Sequence, residues 1–340
     1  MMVLVTVILA LHPGSGIAQV PPNPETDALA REVRSKGWIV YSARTKNGDW
    51  DLFLMRPDGT NIRNITNTPQ WSEAAPRFSA DAKYLIYRRL EKGKIISHDR
   101  YGFQGQLIIS RSNGSAPVEF GRNGEFTWAM WSPDGSQLSC LSLRGIEVVN
   151  LKTKKVVRRM PREGIFQQLF WSPDGKWFVG TANVGGERWT ILRMNAASGE
   201  TKVISKYQNC TPDWFPDSRR VIFSNRPSGQ NGYGWTQLWM ADTETGTRSL
   251  IYGEDGHHIY GGALSPDGKY VLFTRCPQDG GGSERDGAPG GLMRLADSPT
   301  IAGESKALRA IHRNVKNGPV VTLPDCWEPH WTFADIGDLR

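Results

Sequence analysis

The chain has 340 residues, 39% of them hydrophobic and 22% charged, with a net charge of +7 and a pI near 9.2. This is the balance of a soluble globular protein, long enough to bury a sizeable core, and the mild basicity reads as a solvated surface rather than a demand for an acidic partner. The high counts of Gly (37), Pro (21) and Trp (13) point to a turn-rich β protein and against a helical one.

The chain opens with an apolar run, Val3 to Leu11, followed by the small residues Gly16-Ile17-Ala18. This pattern reads as a secretory signal, residues 1–18, cut after Ala18, although no Lys or Arg precedes the run. The run is too short to span a bilayer, so no membrane span is expected. Residues 19–36 form an N-terminal extension. Asn23 as a cap and Pro24 at the first position predict one short helix over the ETDALAREVR stretch. From residue 37 to 340 the pattern changes to short alternating runs.

The first of these is GWIVYSA (Gly37–Ala43). After it, one unit recurs. WSPDG stands at Trp131–Gly135 and Trp171–Gly175, with near-copies LSPDG at Leu264–Gly268 and WFPDS at Trp214–Ser218. Each aromatic or Leu anchor is followed by an alternating run: KYLIYRR, SQLSCLS, KWFVGTA, RVIFSN and KYVLFTR. A third run follows, such as DLFLMRPDGT or QLIISRSNGS, and then a weaker fourth, such as TKVIS (Thr201–Ser205) or RSLIY (Arg248–Tyr252). Period-2 alternation predicts strands. Four short strands per unit, repeated every 40–50 residues or so, is the pattern of a β-propeller blade.

Six anchors can be counted: Phe78, Trp131, Trp171, Trp214, Leu264 and Trp331. The last has almost no chain after it, and the first strand has no anchor before it. The two ends therefore complete one blade, with EPHWTFADIG supplying the inner strand and Trp38–Ser42 the next. The expected fold is all-β, a six-bladed β-propeller closed by its N- and C-terminal strands, with a short N-terminal helix. Pro-Asp-Gly makes the turn after each inner strand, and the Trp before it wedges between blades, so Asp134, Asp174 and Asp267 read as turn formers rather than catalytic carboxylates.

Aromatic-Ser-Pro-Asp-Gly-Lys, an alternating strand, an LFLMRPDGT strand and NIT together resemble the WD40-like (PD40) repeat of TolB-type six-bladed propellers. The resemblance runs from about Trp38 to Gly337. TolB itself carries an α/β domain before its propeller, whereas only Gln19–Lys36 precede the first strand here. The contacts that TolB makes through that domain are therefore not implied.

On this topology the short turns share one side of the disc. The long connections share the other: 90–105, 225–235, 252–262, 276–291 and 322–331. Long loops are uncommon unless they carry function, so the working face is expected there, beside the channel mouth. The candidate ligand or partner residues are His98, Arg100, Tyr101, Arg226, Tyr233, His257, His258, Tyr260, Trp327, Glu328 and His330. His with Glu or Asp can bind a divalent metal. Against that, His257 and His258 are adjacent and point different ways, and His330 sits on an inner strand, so the expectation is no cofactor and no metal. Some pectin-fragment lyases with related propeller repeats hold a His-bound metal at the channel mouth, which keeps the possibility open. Their ligand pattern is not matched here.

No G-x-S-x-G, HExxH or P-loop appears, and no catalytic residue is assigned. None of the four cysteines lies in a CxxC pair. Cys140 reads as core, and Cys276 and Cys326 fall on one face, leaving a disulfide open. Nucleic-acid binding is not expected. Two functions remain. The favoured one is a monomeric, non-enzymatic scaffold, periplasmic or secreted, that binds an envelope protein or glycan through the long-loop face. The alternative is a saccharide-acting lyase or hydrolase with a His-lined site at the channel mouth.

Overall fold

A computed structural model describes residues 23–94, 103–226, 236–254, 256–277, 288–297, 301–302 and 318–336. The alternating runs form six antiparallel sheets arranged as the blades of a propeller. Blade one takes its inner strand, Trp327–Thr332, from the C-terminus, and continues with Trp38–Arg44, Trp50–Met55 and Arg63–Asn64. The inner strands of blades two to six are Trp71–Phe78, Phe126–Trp131, Ile165–Trp171, Asn209–Trp214 and His257–Leu264. Blade five carries a fifth strand, Ile301–Ala302, which pairs its outer strand through Ser249 and Leu250.

The closing pairing puts Trp38 opposite Thr332, Ile39 opposite Trp331 and Val40 opposite His330. Without it Trp38–Arg44 would present an open edge, the feature that templates aggregation in β structures.

Five of the six anchors end an inner strand, and Trp331 stands one residue before the end of its own. In the turn that follows, Asp134 Oδ1 accepts from the Ser132 hydroxyl and the Ser136 amide, and Gly135 takes the left-handed φ of 70° that the turn requires. The same Ser-Asp bond recurs at Ser79–Asp81, Ser172–Asp174 and Ser265–Asp267. The indoles do cross between blades. Trp131 Nε1 donates to the Arg77 carbonyl of blade two, and Trp214 Nε1 to the Phe170 carbonyl of blade four, both at 3.1 Å. Trp331 Nε1 instead bonds the Lys36 carbonyl at 2.7 Å, just ahead of blade one.

One feature of the inner strands has no counterpart in the alternating pattern. Every one contains a β-bulge, where three steps along the inner strand oppose two on its neighbour. Thr127 pairs Leu141 and Met130 pairs Ser139. Cys210 pairs Ser224 and Asp213 pairs Ile222. The other four blades repeat the shift. At each bulge one residue has positive φ: Ala75, Trp128, Gln168, Thr211, Gly261 and Glu328. The residue two positions on then lines the central channel: Arg77, Met130, Phe170, Asp213, Ala263 and His330. A bulge re-aims side chains at the point where pairing slips.

The helix Pro24–Val33 forms as its cap dictates, with Asn23 Oδ1 accepting from the Glu25 amide. It buries Leu29 and Val33 against blade six. Glu32 reaches the Tyr270 hydroxyl and the Arg294 guanidinium, which hold its carboxyl below the ordinary range. The four cysteines are buried thiols.

Two outcomes are expected. Truncation after Asp325 removes the inner strand of blade one. The shortened chain should be recovered as aggregate rather than as a cooperatively melting monomer, as size-exclusion chromatography and circular dichroism would report. Trp214→Phe keeps most of the burial but orphans a carbonyl, and should lower stability by about 1 kcal/mol, against about 3–5 kcal/mol for Trp214→Ala, in denaturant titrations.

Candidate functional site

The bulges build the site. They set six side chains around the waist of the channel. In blade order these are His330, Arg77, Met130, Phe170, Asp213 and Ala263, lining a cavity of about 50 Å³. Nearer the long-loop mouth the lining continues with Gln168, Thr211, Tyr260, Trp327 and Glu328. Met130, Asp213 and His330 also line a wider cavity at the opposite mouth, walled by the anchors and by the Pro of each Ser-Pro turn.

Two waist side chains double as staples between blades. Asp213 Oδ2 accepts from the Leu264 amide of blade six at 2.9 Å, and its Oδ1 from the Trp214 amide at 2.8 Å. His330 Nδ1 accepts from the Phe78 amide of blade two at 3.0 Å. Asp213 is half-buried by surface but walled in by protein on every side but the channel. That burial raises its carboxyl to about 6, despite the two amides and the charge of Arg77, which act the other way. Burial and the nearby Arg77 charge together press the His330 imidazole down to about 3. With Nδ1 accepting an amide proton, the neutral ring carries its own proton on Nε2. Arg77 Nη1 donates to the carbonyls of Pro76 and Glu328, and the guanidinium stands 5.2 Å from the Phe170 ring centroid.

At the long-loop mouth His258 Nδ1 accepts from the Thr236 amide at 3.1 Å, and its ring stacks on Tyr260 at 5.8 Å. Tyr260 meets Trp327 edge-on at 6.4 Å. Burial, with Arg226 nearby, brings the His258 imidazole down to about 4. His257 lies next to His258 on the same strand and turns away, to within 3.3 Å of Glu254, a carboxylate that Arg275 also holds. Arg226, His258, Tyr260, Trp327, Glu328 and His330 thus gather at the channel, and His257 does not. His98, Arg100, Tyr101 and Tyr233 lie outside the described residues. Two of the expected loops are strands for much of their length. His257–Leu264 and Trp327–Thr332 continue up to the mouth, their alternation obscured by Gly261, Gly262 and Pro329. Among the described residues no group of three or more His, Cys, Asp or Glu is placed to hold a metal ion.

Sequence reasoning missed Arg77 and Asp213. A signal was present: Pro76-Arg77-Phe78, Pro212-Asp213-Trp214 and Pro329-His330-Trp331 each place a polar residue between a Pro and an anchor. It also missed a partial collar of aromatic and arginine side chains, from blade two to the end of blade four, on the long-loop side. Arg89 stands 5.7 Å from the Trp71 ring and Arg162 5.7 Å from the Phe103 ring. Phe166 packs edge-on against Trp189 at 5.4 Å, and Tyr207 is 55% exposed.

The depressed imidazoles give a pH dependence of fixed sign. Between pH 6.5 and about 4 the unfolded chain takes up protons that His258 and His330 refuse in the fold. Their contribution to stability is full above pH 6.5 and is lost as the pH falls. His258→Asn, which keeps an acceptor for the Thr236 amide, should lose less melting temperature than the unaltered chain between pH 7 and pH 4.5. Parallel melting curves across that range would contradict this.

The TolB beta propeller domain model matches residues 36–284. Among solved structures, the chain is similar to TolB from Acinetobacter baumannii, with a TM-score of 0.63 and 18% identity over 88% of this chain and 67% of that one. It is similar to a putative TolB from Agrobacterium tumefaciens, with a TM-score of 0.57 and 19% identity over 78% of this chain and 87% of that one. It is also similar to hydrazine synthase from Kuenenia stuttgartiensis, with a TM-score of 0.56 and 14% identity over 91% of this chain and 90% of that one. At such identities the likeness to these structures is one of fold. No curated protein matches the chain by sequence. The repeat match covers well over half of the chain, the six-bladed ring agrees with it, and the chain belongs to the TolB beta-propeller family.

Proposed function

We propose that this protein is an exported scaffold whose long-loop face, around the channel mouth, binds a protein or glycan partner of the cell envelope. It acts as a monomer in the periplasm or outside the cell, needs no metal or cofactor, and binds no nucleic acid. No described helix is long and apolar enough to cross a membrane. The observation that carries this reading is the collar. Trp71 and Phe103 of blade two, Phe166 and Trp189 of blade four and Tyr207 ahead of blade five stand on the long-loop side, with Arg89 and Arg162 set against two of them. Aromatic residues and Arg are the side chains enriched at the energetic centres of interfaces, because they bury much area for little lost freedom. The neutral imidazoles of His258 and His330 add fixed N–H donors without charge.

The alternative, a saccharide-acting lyase or hydrolase, is favoured by one observation. Asp213, with its carboxyl raised to about 6 inside the channel, is a group poised to exchange a proton near neutral pH.

The two readings separate on different variants. Trp189→Ser with Tyr207→Ser should reduce capture of an envelope partner at least tenfold while leaving the melting temperature within a few degrees. Tyr84→Ser, 43% exposed beside the short turns, should not. Loss of capture from Tyr84→Ser alone would move the working face to the other side. Turnover of an oligosaccharide that disappears in Asp213→Asn would establish the alternative.

A further inference from the structure

Blade five shows that the outer edge of a blade in this fold can take a further strand. Ile301–Ala302 adds antiparallel to Arg248–Tyr252 through Ser249 and Leu250. The other outer edges are finished differently. Those of blades one and two are only two and three residues long. The helix Pro24–Val33 packs on Val320–Asp325 of blade six. Lys202 ties the outer strand of blade four to the Thr243 and Glu244 carbonyls of blade five. Val156–Met160 of blade three is five residues long, and its first four residues are exposed. It pairs with Gly145–Asn150 on one side, and no strand among the described residues covers the other.

Two features set this edge apart from an ordinary solvated strand. The first is apolar. Val118 is 59% exposed and Val157 54%, with Val156 between them in exposure class to the same solvent. Val118 and Val156 border a groove of about 310 Å³ between blades two and three, walled by Phe120, Phe126, Val149 and Leu151. The second is charge. From residue 152 to 162 the chain carries Lys152, Lys154, Lys155, Arg158, Arg159 and Arg162, and no acid. Arg158 is committed to the Ala196 carbonyl of blade four and Arg159 to Glu147. Lys152, Lys154 and Lys155 have no ion partner among the described residues. The groove's own carboxylates, Glu119 and Glu125, belong to blade two and to the connection after it, and Arg144 already holds Glu125. Lysines on an edge strand discourage pairing between copies of the same chain, because like charges then stand opposite one another. A strand carrying carboxylates turns that repulsion into attraction.

We propose that the outer edge of blade three is a docking site for an extended acidic segment of a partner protein, which adds to the blade as a fifth strand. Its backbone pairs with Val156–Met160. Apolar side chains on one of its faces lie over the groove beside Val118 and Val156, and carboxylates at the alternate positions are drawn to the lysines of residues 152–155. The backbone supplies the pairing, the groove selects apolar residues at every second position, and the charge rejects a second copy of this chain.

This edge is on the perimeter of the disc, so the proposal stands apart from the partner-binding reading of the long-loop face. The test is fluorescence anisotropy of a labelled, end-blocked seven-residue peptide of alternating Glu and Val, titrated with the full chain at pH 7.5. The peptide should bind saturably and slow deuterium exchange at the amides of residues 156–160, but not at residues 201–205 of blade four. The same peptide with Lys in place of Glu should bind at least tenfold more weakly. So should the Glu peptide N-methylated at three consecutive central residues, which keeps its charge and loses its strand pairing. Lys152→Glu with Lys155→Glu should weaken binding at least tenfold, with melting curves confirming that the variant folds. Trp189→Ser with Tyr207→Ser should leave the titration unchanged, and loss of binding there would place the peptide on the collar and overturn the proposal. Absence of binding would also overturn it, as would equal binding of the N-methylated peptide or exchange protection outside blade three. Binding of phosphatidylglycerol vesicles but not of the peptide, lost in Lys152→Glu with Lys155→Glu, would make the basic edge a membrane contact and overturn it as well.

Discussion

Everything in this molecule that faces the channel depends on one backbone device, a residue held at positive φ in each inner strand. For the five that are not glycine, the left-handed conformation costs about 1–2 kcal/mol apiece. The strain is tolerated because the bulge is followed at once by contacts that a regular strand could not make. Beyond it, the channel residue and the anchor point to opposite sides. The anchor enters the gap between blades, and the channel residue turns to the axis. Trp131 and Trp214 then return hydrogen bonds to the carbonyls of Arg77 and Phe170, themselves channel residues of the preceding blade. Asp213 and His330 link blades the other way, each accepting from the next anchor's amide. The axis and the blade contacts are one network. No blade can relax its bulge without loosening its neighbours.

Much of the architecture was legible because it rests on local chemistry. Ser-Pro-Asp-Gly specifies its turn through bonds within five residues, so its position fixes the end of every inner strand it follows. The outer strands Thr201–Ser205 and Arg248–Tyr252 were readable to the residue from alternation bounded by turns. Ring closure followed from counting, since an anchor without a blade and a blade without an anchor leave one arrangement. Bulges were not legible. A slip of register alters which residues pair, and pairing partners some 14 residues apart leave no trace in a period-2 pattern. The same blindness made loops of the ends of two inner strands, where Gly261, Gly262 and Pro329 interrupt the alternation without ending the strand.

The candidate site divides along the same line. Tyr260, Trp327, Glu328 and His330 were found because they sit in unusual segments rich in His and Trp. Arg77 and Asp213 were passed over because each sits inside an ordinary repeat, where a charged residue before an aromatic looks like one more solvated position. What distinguishes them is the preceding Pro, whose meaning appears only once three blades are aligned on their bulges. The collar was hidden for a different reason. Trp71 and Phe103 belong to blade two, Phe166 and Trp189 to blade four, and Tyr207 stands just ahead of blade five, and no spacing in the chain reveals that the fold brings them to one side.

Closure of the ring also sets a timetable. The inner strand of blade one, Trp327–Thr332, is synthesised after the strands of all the other blades, while its partner Trp38–Arg44 precedes them. Blades two to four can each form as soon as their own residues are available, since their strands are consecutive, and blade five lacks only its short fifth strand until residues 301–302 follow. Blade one waits, holding an unsatisfied strand edge until Trp327–Thr332 arrives. The vulnerable interval is therefore set by the time taken to synthesise the intervening blades, and a copy stalled before Trp327 exposes a strand edge that quality-control machinery can recognise.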